Sequence, residues 1–189
     1  MNNPSSRSIL LSGIKHCGKS TIGALLARRI GLPFLDLDDL VEEESLANRG
    51  GDRAVRWGVR EIYRRLGKDE FVRLEQKALR ILMEEGGRFV LALGGGTQEN
   101  PENRKLLSEL GCLVYLSEEA EILYKRVSSG GIPPFLDAED PRGSFEELYR
   151  TRDRLYRRTA DIVLPLEGRN PADAAEYIEQ TLKEHISGR

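Results

Sequence analysis

Along the chain, short unbroken apolar runs alternate with longer stretches in which apolar residues recur every three or four positions. Ser8–Ser12 (SILLS) ends at Gly13 and predicts a buried strand. Ile22, Leu25, Leu26 and Ile30 then share one helical stripe that stops at Gly31. Leu32–Asp36 predicts a second short strand, and Asp38–Leu46 the start of a helix. Residues 47–58 hold Gly50, Gly51 and Gly58 among several arginines and read as an exposed excursion. Helical period resumes at Val59–Leu66 and continues on one face through Phe71, Leu74, Ala78, Leu79 and Leu82. Phe89–Leu93, closed by three glycines, has the solid apolar character of a central parallel strand. A helix opening near Pro101, a strand at Cys112–Leu116 and a helix at Glu118–Ser129 follow. A long helix at Ser144–Ala160, a strand at Asp161–Leu164 and an amphipathic helix through Ala175, Ile178 and Leu182 complete the pattern.

This alternation predicts an α/β fold, a parallel sheet with helices on both faces, in a single domain over residues 1–189. Residues 130–143 (GGIPPFLDAEDPRG) combine three glycines, three prolines and three acids, so no regular element is expected there. The apolar pair Phe135–Leu136 inside that segment suits either a mobile lid over a ligand or a plain surface loop.

Charge narrows the classes. The 29 basic and 31 acidic side chains nearly cancel, which argues against a nucleic-acid partner. Two cysteines, Cys17 and Cys112, are too few for a disulfide framework and point to a reducing compartment. The N-terminal residues lack the charged head and apolar stretch of a signal peptide, and the apolar runs are too short for a membrane span. A cytoplasmic monomer acting on a small molecule is expected.

The strongest chemical signal lies between the first strand and the first helix. Gly13-Ile14-Lys15-His16-Cys17-Gly18-Lys19-Ser20 fits G-x-x-x-x-G-K-[ST], the loop that wraps nucleotide phosphates in backbone N–H groups at a helix N-terminus. Gly13 and Gly18 permit the required dihedrals, Lys19 reaches toward the β- and γ-phosphates, and Ser20, followed by Thr21, offers a hydroxyl to Mg²⁺. His16 and Cys17 read as loop residues, Cys17 a small side chain filling the turn rather than a nucleophile.

Many P-loop enzymes hold the metal with an acid after another strand, but the strand ending in Gly94-Gly95-Gly96 has none. The alternative source is Asp36-Leu37-Asp38-Asp39, where an extended backbone turns Asp36 and Asp38 to the same side. Asp38 or Asp39 as a helix cap is the plainer reading of the same acids. The three glycines expose backbone that a substrate can approach closely, more than a tight turn requires.

These pieces together resemble the shikimate kinase family. The matching text is GIKHCGKST (13–21), FLDLDDLVE (34–42), EFVRLE (70–75), LGGG (93–96), PFL (134–136), RDRLY (152–156) and RNP (169–171), with an apparent insertion around 46–58. The resemblance implies a P-loop, three-layer fold with a five-stranded parallel sheet and a lid, and transfer of the γ-phosphate of ATP, with Mg²⁺, to the 3-hydroxyl of shikimate. It implies that Asp36 supports the metal beside Ser20, that Asp38 and Lys19 are catalytic, and that Gly94, Gly95 and Gly96 line the acceptor pocket. Arg126, Arg169 and Pro171 match the adenine side, and Arg152 matches one of two arginines on the acceptor carboxylate.

Three positions depart from that pattern. Val72 and Pro133 stand where the family has a carboxylate-binding arginine and a lid arginine, and His16 replaces a loop glycine. Arg142 is a candidate replacement for the lid charge. The departures leave two further readings: a kinase for another hydroxylated molecule, such as a polyol or sugar acid, or a non-catalytic ligand-sensing module.

Overall fold

The apolar runs assemble side by side in the computed structural model, which describes residues 7–48, 56–133 and 135–187. Strands β1 (Ser8–Ser12), β2 (Phe34–Asp36), β3 (Val90–Ala92), β4 (Gly111–Ser117) and β5 (Ile162–Pro165) form one sheet in the order β2-β3-β1-β4-β5. Every pairing is parallel; Leu10, for example, lies between Leu91 of β3 and Leu113 of β4. Parallel neighbours need long crossovers, and helices supply them. These are α1 (Lys19–Ile30), α2 (Leu37–Asn48), α3 (Val59–Glu85), α4 (Pro101–Leu110), α5 (Ala120–Ser128), α6 (Pro141–Thr159) and α7 (Pro171–Ser187).

Strand side chains alternate between two cores. Ile9 and Leu11 pack with Ile22, Leu26, Phe145 and Ile178, under α1, α6 and α7. Leu10, Leu91 and Leu113 enter a second core with Val41, Ile62, Leu79 and Leu107, under α2, α3 and α4. Each fully buried leucine of this kind contributes on the order of 2 kcal/mol. No helix among the described residues is long and apolar enough to cross a membrane.

Four expectations shift in detail. First, α2 begins at Leu37, directly after β2, so Asp38 sits in a first helical turn rather than in extended chain. Second, the long helical pattern kinks at Gly67 (φ 79°, ψ 176°), a conformation glycine adopts without strain, and the two halves do not share one continuous face. Third, the last residues of 130–143 are helical: Pro141 occupies the first turn of α6, and the Asp140 side chain caps it by accepting from the Gly143 N–H at 2.9 Å. Fourth, within 47–58, Ala47 and Asn48 extend α2, and Trp57 packs on the second core; residues 49–55 lie outside the described residues.

Because all strands run the same way, the loops that follow them gather along one edge of the sheet, where ligands bind in such folds. The spacing is tight at the opposite end of β4. A Cβ on Gly111 would stand 2.6 Å from the Ser8 carbonyl and 2.8 Å from Leu10 Cγ. Gly111→Ala is therefore expected to lower the unfolding free energy by about 1–3 kcal/mol, measured by urea denaturation. An unchanged midpoint would mean that β1 and β4 can separate without loss.

Candidate functional site

The loop from Gly13 to Gly18 is shaped by small residues and by left-handed backbone. Gly18, the N-cap of α1, has φ 98° and offers no side-chain cap, and no acid lies in the first turn. The first turn of α1 thus supplies no acid of its own to the positive end of the helix dipole. A Cβ on Gly13 would meet Cys17 Sγ at 2.5 Å, and Cys17 is 2% exposed, so Cys17 fills the turn as expected. His16 adopts φ 67°, the region in which the resemblance places a glycine. Lys19 Nζ donates to the carbonyls of Gly13 at 2.8 Å and Ile14 at 3.4 Å, so the ammonium curls over the mouth of the loop. Ile14 is buried, while Ser20 and Thr21 are exposed at the start of α1.

One carboxylate ties the loop to the second strand. Ser20 Oγ donates to Asp36 Oδ2 at 2.6 Å, and the Asp38 backbone N–H donates to Asp36 Oδ1 at 3.1 Å. Asp36 is therefore the cap of α2, a role the sequence offered to Asp38 or Asp39. Helical rather than extended geometry brings Asp36 and Asp38 together. Burial, and secondly the Asp36 charge, push the Asp38 carboxyl above its ordinary range, against the opposing pull of Lys19 and Lys15.

The glycine loop closes the other side. A Cβ on Gly94 would lie 2.9 Å from Thr97 Oγ1 and 3.1 Å from Asp38 Oδ1, so the second acid packs against bare backbone. Gly95 is held by Tyr156, whose hydroxyl donates to its carbonyl at 2.5 Å. One helical turn earlier, Arg152 presents NH1 and NH2 to the Cβ positions of Gly95 and Gly96, at 3.8 and 3.4 Å, while its Nε donates to Glu99 at 2.7 Å. Among the arginines of α6, Arg152 is half-buried against the glycine loop, whereas Arg142, Arg150, Arg154, Arg157 and Arg158 are exposed, Arg157 reaching Ser117 Oγ at 2.7 Å.

Beneath the loop, Glu75 is 4% exposed and accepts from Thr97 Oγ1 at 2.6 Å and Asn103 Nδ2 at 3.0 Å. Sequence reasoning passed over Glu75, Asn103 and Tyr156. Glu75 and Tyr156 close two of the matching stretches, EFVRLE and RDRLY, and the i, i+4 spacing of Arg152 and Tyr156 was a second signal; Asn103 had none.

At the adenine-side positions, Arg126 pairs with the buried Glu118 at 3.5 Å. Glu118 also accepts from the Gly168 N–H at 3.1 Å, which joins α5 to the loop after β5. Arg169 donates to the Pro165 and Leu166 carbonyls and stacks 4.5 Å from the Tyr177 ring, with Pro171 exposed at the start of α7. In the 130–143 segment Leu136 is anchored in the first core, and Lys15 Nζ lies 5.0 Å from the Phe135 ring centroid. Arg142 does not reach the loop: it donates to Glu121 at 2.7 Å and Glu146 at 3.1 Å. Val72 is half-buried on α3, and Arg73 beside it pairs outward with Glu70.

A phosphate-type loop after the central strand, with two acids and bare glycine backbone facing it, defines a P-loop kinase of small molecules. Comparison with known proteins agrees and narrows the class. A family profile described as Shikimate kinase matches residues 15–183. The shikimate kinase of Marinomonas sp. (strain MWYL1) is 36% identical over 181 residues, 95% of this chain and 93% of that protein. That of Dechloromonas aromatica (strain RCB) is 38% identical over 159 residues, 84% of this chain and 80% of that one. The structure of shikimate kinase from Acinetobacter baumannii in complex with shikimate superposes with a TM-score of 0.81 at 28% identity, covering 96% of both chains. The chain belongs to the shikimate kinase family. A gluconokinase from Sinorhizobium meliloti 1021 shares the fold alone, with a TM-score of 0.55 and 16% identity over 100% of this chain and 97% of its own.

Burial pushes the Glu75 carboxyl up to about 7 from an ordinary 4.5, with hydrogen bonds from Thr97 and Asn103 opposing and the Asp38 and Glu99 charges adding. Folding thus favours the protonated form. The contribution is complete below pH 4.5 and is lost as pH rises toward 7, at no more than about 1.4 kcal/mol per pH unit. Glu75→Gln should flatten that decline in urea titrations run from pH 5 to 8. Parallel declines in the two proteins would show that Glu75 is ionised in the native state throughout.

Proposed function

We propose that this chain phosphorylates the 3-hydroxyl of shikimate with ATP and Mg²⁺. The observation that carries the reading is the Asp36 carboxylate, which receives the Ser20 hydroxyl with one oxygen and the Asp38 N–H with the other. Its bridge sets a metal-facing pair beside an acceptor-facing acid.

The residues present fit both groups. Uncapped α1 amides, two loop glycines and Lys19 suit a polyphosphate. No cluster of three or more His, Cys, Asp or Glu side chains gathers among the described residues. That suits Mg²⁺, which binds through one or two protein oxygens plus phosphate oxygens and water. Ser20 and Asp36 would hold it, and the ion would neutralise charge on the phosphate oxygens. Arg126, Arg169 and Pro171 border the expected adenine side.

On the acceptor side, Asp38 orients the hydroxyl and takes its proton, a task helped by the upward displacement of its carboxyl. The freed oxygen bonds to the γ-phosphorus as the bond to the bridging oxygen breaks, and ADP leaves with that electron pair. Lys19 and the loop amides stabilise the transferring group in line. Gly94, Gly95 and Gly96 admit the substrate ring to bare backbone, and Arg152 faces its carboxylate.

Val72 and Pro133 favour one second reading within the same chemistry: transfer to another hydroxylated molecule, a polyol or a sugar acid. ADP release measured across shikimate, sugar acids and neutral polyols separates the two. High turnover on shikimate alone establishes the first; release with another acceptor and none with shikimate establishes the second. ATP binding with no acceptor-dependent release at all would leave a sensing module.

Asp38→Asn is expected to cut turnover by about 10²–10⁴-fold and to leave ATP affinity within about threefold of wild type, by calorimetry. Equal loss of nucleotide binding would move Asp38 out of the acceptor side. Lys19→Met, by contrast, should depress both quantities.

A further inference from the structure

Glu75 is a buried carboxyl that the transfer chemistry above does not use. Its oxygens accept from two neutral groups, the Thr97 hydroxyl on Oε1 at 2.6 Å and the Asn103 amide on Oε2 at 3.0 Å. Both partners are buried as deeply as Glu75 itself. Val72, three positions earlier on α3, gives the carboxyl no cation to hold. The pair meets the expected catalytic acid at Gly94. Around the point where a Gly94 Cβ would sit, Thr97 Oγ1 lies at 2.9 Å, Asp38 Oδ1 at 3.1 Å and Glu75 Oε1 at 3.4 Å. The three oxygens come from the short turn after β3, from α2 and from α3. The Thr97 backbone N–H also donates to the Gly94 carbonyl at 3.3 Å, which closes the glycine turn on itself.

We propose that Glu75 is a positioning residue for phosphoryl transfer: through the Thr97 hydroxyl it fixes the Gly94 backbone against which Asp38 packs, and so sets where the Asp38 carboxylate meets the acceptor hydroxyl. The proposal rests on the kinase reading above and adds a side chain that never touches substrate. Asp38 needs such a wall. Among the described residues no side-chain donor holds its carboxylate, and its place is set by contact with Gly94 and by the helix start at Leu37. Glu75 serves as a neutral group. Burial first keeps its proton on, with the Asp38 and Glu99 charges adding and the Thr97 and Asn103 hydrogen bonds opposing. Tyr156, which faces the same loop from α6, is kept protonated by burial as well. The nearby cations are engaged elsewhere: Lys15 and Lys19 act on Asp38, and Arg152 pairs with Glu99. An ionised Glu75 would set a like charge near Asp38 in a buried site, whereas a protonated one bonds Thr97 without that repulsion.

Turnover with shikimate and ATP, both KM values and the urea midpoint are measured for wild type and four variants. Thr97→Val keeps the shape of the side chain and removes the hydroxyl; it should lower kcat by about ten- to a hundred-fold and leave both KM values within about threefold. Thr97→Ser should restore most of that loss. Glu75→Gln, a neutral isostere, should keep kcat within about threefold of wild type, whereas Glu75→Asp, which withdraws from Thr97, should fall about as far as Thr97→Val. A merely structural role would make kcat follow the urea midpoint and would not favour the amide over the shorter acid. Wild-type kcat in Thr97→Val overturns the proposal, as does a Glu75→Asp protein faster than Glu75→Gln. Should Glu75→Asp not fold, Thr97→Val decides alone. Amide hydrogen exchange at residues 94–97 of the ligand-free chain needs no turnover, and Thr97→Val should speed it by about tenfold while Glu75→Gln does not. Faster exchange in Thr97→Val, with no acceptor-dependent ADP release in wild type, would defeat phosphoryl transfer and keep the hold on Gly94. Unchanged exchange overturns the proposal whether or not the chain turns over.

Discussion

The Asp36 carboxylate holds the two halves of the site in register. Its two oxygens serve different elements: Oδ2 takes the Ser20 hydroxyl from α1, and Oδ1 takes the backbone N–H of Asp38 at the start of α2. A helix N-terminus needs an acceptor for its free amides, and a strand that ends directly in a helix has no loop residue to provide one. Asp36, the last residue of β2, meets that need with one oxygen and keeps the other for the phosphate loop. Because α2 starts without a spacer, Asp38 is swung by helical rotation against Gly94 instead of along the strand. Moving the helix start by one residue would separate the acids.

Support for the acceptor side comes from below. Bare glycine backbone is conformationally loose, and here it is fixed by neighbours: Tyr156 on the Gly95 carbonyl, Thr97 beside Gly94, and the Glu75–Asn103 pair beneath Thr97. Buried polar groups are costly unless paired, so such a network is stable only in one arrangement. The loop can therefore present open backbone without wandering.

Much of this was legible because the relevant signals are local. Strand runs and the glycine-lysine loop lie within a few residues of sequence and appear where the pattern placed them, whereas Asp36 and Asp38 meet through a helix start rather than along an extended backbone. Two kinds of feature were not legible. Asp36 as the cap of α2 depends on the helix beginning at Leu37, and boundaries of one or two residues are below what periodicity resolves. Glu75 joins Thr97 and Asn103 across 22 and 28 positions, so that only the fold makes them neighbours. Within α6, six arginines look alike in sequence, and burial singles out Arg152.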